Sequence, residues 1–190
     1  MEKAARGFAV LGGMVLSGLI VLTCLSILGR MLNNVLFSDA VQGLAPDLAA
    51  TLIASGVGPI AGAYEIVEAG MAFVVFAFLP LCHLHGAHAS VDIFTSALSD
   101  RTQTVLRVLT ALVFAAVVTV ITYELAQGMM SKQASGQTTF ILQFPVWWSY
   151  AASLVAATGW AVIAIYIAVA RVVEFASGTP ILPEQAEPDR

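Results

Sequence analysis

Residues 79–94 read Leu-Pro-Leu-Cys-His-Leu-His-Gly-Ala-His-Ala-Ser-Val-Asp-Ile-Phe. Polar side chains crowd together here between two long apolar segments, and all three histidines of the chain fall within the stretch. Each flanking segment is long enough for a helix to cross a bilayer, whose hydrocarbon core of about 30 Å needs roughly 20 helical residues. The stretch is therefore a connection between two membrane spans. Which side of the membrane it occupies sets the topology of everything else.

Outward from it, the chain keeps the same character. Of 190 residues, 59% are hydrophobic and only 11% are charged, with a mean hydropathy of +0.89. Soluble domains carry about a quarter charged residues. Here the charges lie in narrow bands separated by long uncharged runs, the pattern of an integral membrane protein. The formal net charge is −4, and no basic face is present, which excludes a nucleic-acid-binding module. Cys24 and Cys82 both sit in apolar runs and read as small hydrophobes rather than as a disulfide.

Four spans are predicted in an all-α fold, over residues 8–29, 59–84, 102–127 and 146–170. The first is too long for a signal-peptide core and lacks a small-residue cleavage site, so it reads as a retained span. Its Gly13 and Ser17, four apart, form a small-residue face suited to close helix approach. Between the first two spans, Pro46 followed by Asp47-Leu48-Ala49-Ala50 predicts a short surface helix. Pro80 is expected to kink the second span. The fourth opens with Pro145 and the pair Trp147 and Trp148, interfacial anchors of the kind that sit at headgroup level. Residues 177–190 read as a disordered tail after a single membrane domain.

Charge bias orients the bundle. Lys3, Arg6, Arg101, Arg107 and Arg171 flank one side, whereas only Arg30 and Lys132 flank the other. The positive-inside rule then places both termini and the histidine stretch in the cytoplasm.

Three polar groupings are candidates for chemistry. His85, His88 and Asp92 are spaced three and four apart, so on a helix they would share a face and could hold zinc or iron. Gly86 weakens a helix there, and no other loop supplies matching ligands, so a polar elbow is preferred. Haem ligation needs axial histidines on facing helices, whereas all three histidines share one short stretch at the membrane edge. Glu65, Glu68 and Glu124 lie near the outer ends of their spans, at the depth of Arg30. An ion pair of Arg30 with Glu65 or Glu124 is the expected arrangement. No serine or threonine is arranged with a base, and no phosphate-binding glycine loop occurs, so no enzyme is predicted.

Four pieces in order resemble one family. Leu28-Gly29-Arg30-Met31-Leu32-Asn33 closes the first span, and Tyr64-Glu65-Ile66-Val67-Glu68 opens the second. Gly86-Ala87-His88-Ala89-Ser90-Val91-Asp92 follows a Gly-x-His-x-x-Val-Asp signature, and a polar run leads into Ile141-Leu142-Gln143-Phe144-Pro145-Val146-Trp147-Trp148 before the fourth span. Together they are similar to the small membrane subunit, DctQ type, of tripartite ATP-independent periplasmic (TRAP) transporters. The resemblance covers residues 8–171 and departs at 38–58, which is longer than the usual turn, and at Met31, where an aromatic is usual. It implies a non-catalytic scaffold in the cytoplasmic (inner) membrane. The implied partners are a large DctM-type carrier subunit, a periplasmic substrate-binding protein and membrane lipids, with sodium-coupled uptake of organic anions such as carboxylates. It also marks Gly86, His88, Val91 and Asp92 as a signature loop. The alternative is a free-standing four-span metal- or haem-binding redox protein.

Overall fold

In hydrocarbon every backbone N–H and C=O must be satisfied within the protein, so an apolar chain of this kind crosses the membrane as helices. The structure, a computed structural model, describes residues 1–44, 46–85 and 100–177. It contains α1 (Glu2–Leu36), α2 (Asp39–Leu44), α3 (Pro46–Ala54), α4 (Ala63–Leu84), α5 (Asp100–Ser135) and α6 (Trp147–Ser177). Among the described residues there is no strand, and α1, α4, α5 and α6 are long and apolar enough to span a membrane. The four predicted spans are thus present. The signature loop 86–92 and the tail 178–190 lie outside the described residues.

Helix boundaries differ from the expectation in an instructive way. Arg30 was expected to end the first span, yet α1 continues through it to Leu36. Arginine is a good helix former whose long side chain can carry its charge to water, so it ends the apolar segment without ending the helix. At 1.5 Å per residue, the 35 residues of α1 and 36 of α5 extend about 50 Å, well beyond a hydrocarbon core of about 30 Å. By contrast, α4, with 22 residues, barely spans it. Pro80 lies inside α4, and the helix runs on through it to Leu84. Two short helices, α2 and α3, occupy the connection where one was expected, and Pro46 opens the second.

The helices pack in the order α1–α4–α6–α5. The α1–α4 seam is narrow: Ala5, Gly12, Leu19 and Ser26, each seven residues apart, are four of the five buried positions of α1, Leu36 near its end being the other. Such a spacing is the signature of knobs-into-holes packing. A Cβ on Gly12 would lie 2.9 Å from that of Ala77, and one on Gly70 would lie 2.8 Å from Leu19 Cδ1. Each glycine is the hole for its neighbour. The broadest buried face belongs to α6, where Ala156, Ala157, Trp160, Ala161, Ala164 and Ala168 all face inward. Trp160 stands edge-on to Phe114 of α5 at 5.9 Å and tilted to Phe76 of α4 at 6.4 Å, joining three helices. Van der Waals contact of this kind, rather than burial from water, holds apolar helices together in lipid.

Candidate functional site

Polar structure gathers at the end of the bundle where α4 and α6 begin and α5 stops. Glu65 is the third residue of α4, after Gly62, which caps the helix in the left-handed conformation at φ 75°. Only 9% of Glu65 is exposed. Its carboxylate accepts two backbone hydrogen bonds, from the Ile141 N–H at 2.6 Å and the Leu142 N–H at 2.8 Å. Charge-assisted bonds of this length are among the stronger ones in proteins.

The donors belong to a tight hairpin over residues 136–146. The Thr139 N–H donates to the Phe144 carbonyl and the Val146 N–H to that of Gln137, both at 3.0 Å. The Phe144 N–H reaches the Thr139 hydroxyl at 3.3 Å, and Lys132 Nζ donates to Gln137 Oε1 at 2.7 Å. Gly136 and Gln143 supply the positive-φ corners, at 62° and 53°. At the tip, the Ile141 and Leu142 amides have no cross-hairpin carbonyl to meet, and Glu65 takes both. The Leu142 side chain closes against Gly62, where a Cβ would overlap it. The hairpin is thereby latched onto the first turn of α4.

This is a correction to the expected ion pair. Glu65 is engaged by backbone amides, and the Arg30–Glu65 pair is not formed. Among the described residues the ion pairs within 4.0 Å are Arg6–Glu2 and Arg171–Glu174, so Glu124 does not hold Arg30 either. Arg30 and Glu124 are both exposed on the bundle surface.

The other predicted positions separate. Gly13 and Ser17 lie off the α1–α4 seam: a Cβ on Gly13 would meet nothing within 4 Å, and the Ser17 hydroxyl donates to the Gly13 carbonyl at 2.9 Å. Close approach inside the chain uses Gly12 instead. Trp147 and Trp148 open α6 with their rings perpendicular and 6.2 Å apart. His85 caps α4, its N–H donating to Leu81. Gly86, His88, Val91 and Asp92 lie outside the described residues. Among those described, no three His, Cys, Asp or Glu side chains come together as a metal site.

Beneath the hairpin, α4, α5 and α6 line an open cavity of about 740 Å³. Glu68, Lys132, Tyr150 and Ser153 line it together with apolar side chains, including Ala72, Leu125 and Phe144. Sequence reasoning missed both the latch and this cavity. The one available signal was the pairing of a glutamate near a helix start with a Gly- and Pro-bounded polar loop.

The profile of the family described as "Tripartite ATP-independent periplasmic transporters, DctQ component" matches residues 19–175. No curated protein and no solved structure matches the chain.

Proposed function

The chain belongs to the DctQ family of tripartite ATP-independent periplasmic transporters, and from that premise we propose that it scaffolds a large carrier subunit of the DctM type. In this reading it sits in the cytoplasmic membrane with both termini inside, supports sodium-coupled uptake of an organic anion such as a carboxylate, and helps receive the periplasmic binding protein. The coarser identity is a multi-pass small membrane component of a transporter, and that much follows from the match and the four spans.

The observation that carries the scaffold role is the middle of the bundle. Residues 7–29, 69–82, 108–123 and 149–170 hold no charged side chain. Carriers place their ion and substrate sites near the midplane, on interrupted helices that expose backbone dipoles. Here α4, α5 and α6 run unbroken through that depth. The outer faces of α1 and α5 are apolar and exposed, as a partner or lipid would require. With both termini inside, the hairpin end is the outer end, and it presents Phe140, 94% exposed, for docking at the same end of the bundle as α2 and α3.

Reconstitution tests the proposal. The tagged chain should copurify with a DctM-type large subunit from the same cell. Liposomes containing all three components should take up the anion under a sodium gradient, and those with this chain alone should not. Uptake by this chain alone, or failure to copurify with the large subunit, overturns the proposal.

A further inference from the structure

The cavity under the hairpin has features that the latch does not use. Ser153 is only 1% exposed, and its hydroxyl has no hydrogen-bond partner. Buried hydroxyls are nearly always paired, because an unmet polar group in an apolar setting is costly. The cavity wall also carries two acids, Glu65 and Glu68, and one base, Lys132. Glu65 is already engaged by the hairpin amides, which leaves Glu68 and Lys132 to face a ligand. These two are not an ion pair, since no oxygen of Glu68 lies within 4.0 Å of Lys132 Nζ. Lys132 gives one hydrogen bond to Gln137, and an ammonium has two more donors to offer. The Glu68 carboxylate is exposed. A negative and a positive group therefore face the same space without neutralising each other.

Depth narrows the ligand. Glu68 lies in the second turn of α4, and Ser153 stands six residues into α6 from Trp147, about 9 Å along the axis. A Trp pair at headgroup level therefore places the cavity where headgroups give way to hydrocarbon. Its volume falls among pockets that hold small ligands, about 300–1,000 Å³. That suits a headgroup and glycerol rather than a whole lipid. Below Ala72 the same face of α4 continues to Val75, which is 52% exposed and apolar. Acyl chains have a path along it.

We infer that this cavity is a binding site for the zwitterionic headgroup of an aminophospholipid such as phosphatidylethanolamine. Lys132 faces the phosphate, Glu68 accepts N–H bonds from the primary ammonium, and the Ser153 hydroxyl donates to a phosphate or ester oxygen. Phosphatidylcholine carries the same charges but no N–H, so Glu68 discriminates against it. Phosphatidylglycerol lacks the cation and brings its net negative charge towards Glu68. The inference requires only a four-span membrane protein and is independent of the transport role.

The test uses the full chain in mixed micelles, with native mass spectrometry and thermal shift reading lipid retention. One phosphatidylethanolamine per chain is expected, with about tenfold preference over phosphatidylglycerol and phosphatidylcholine, the effect of one lost charge-assisted contact. Lys132→Gln should weaken retention of all three lipids. Glu68→Gln should keep binding but remove the preference for the primary amine. Ser153→Ala should lower retention of every lipid by about threefold. Should Ser153→Ala fail to fold, Glu68→Gln, at an exposed position, decides alone. Equal retention of the three lipids by the unaltered chain overturns the inference, as does an unchanged preference in Glu68→Gln.

Discussion

Glu65 and Glu68 stand three residues apart on one helix, near the same cavity, and are indistinguishable as intramembrane carboxylates in the sequence. The structure puts them to opposite uses. Glu65 is buried and has both oxygens engaged by hairpin amides. Glu68 is exposed, with its carboxylate available to something outside the chain. A charge near a membrane boundary is thus no guide to its own role. What decides is whether a backbone donor from another element arrives within reach, and here the 136–146 hairpin reaches only one of the two.

The sharpest way to break this contrast is to remove each acid in turn. Glu65→Ala leaves two amides at the hairpin tip without an acceptor and frees the loop from α4. The melting temperature in detergent should fall on the order of 5 °C, and protease should then cut within 136–146. Glu68→Ala, removing a solvated group, should leave both unchanged. Equal losses from the two substitutions would show that the latch does not set them apart.

A smaller effect is expected from the other side of the latch. Gly62 holds φ 75°, and Leu142 occupies the space a Cβ would need. Gly62→Ala should therefore destabilise by about 1–2 kcal/mol from backbone conformation alone, with additional strain at Leu142. Gly13→Ala adds a methyl where nothing lies within 4 Å, and in the isolated chain it should be neutral or slightly stabilising on helix propensity. Thermal unfolding of the two variants side by side checks the pair.

Most of the fold was legible because lipid leaves a chain so few options. Uncharged runs of about 20 residues become helices whatever their detailed sequence. The seam of α1 was also within reach, since Ala5, Gly12, Leu19 and Ser26 repeat every seven residues. The neighbouring Gly13 and Ser17 pair drew attention instead, because small residues four apart are conspicuous in a sequence whether or not a partner helix is present. The latch was not legible, for a different reason. Its donors are the main-chain N–H groups of Ile141 and Leu142, and side-chain identity carries no trace of which amides a turn leaves unmet. The signature loop at 86–92, on which the family resemblance leaned most, lies outside the described residues.

The smallest expected effect concerns Arg30 and Glu65, for which charge bookkeeping along the sequence suggests partnership. Both Glu65 oxygens are turned to the hairpin amides, and Arg30 makes no ion pair with them within 4.0 Å. Arg30 is exposed, and its guanidinium can extend to water or to lipid phosphates, where ion pairing is worth little. Arg30→Ala should thus be nearly silent on its own. Combined with Glu65→Ala, its effect should simply add, because groups that share no contact rarely couple. The double variant should melt within about 1 °C of the sum of the singles. If instead the second substitution costs far less once the first is made, the two charges do meet. The contrast between Glu65 and Glu68 would then lie in a cation that reaches one acid and not the other, rather than in the hairpin.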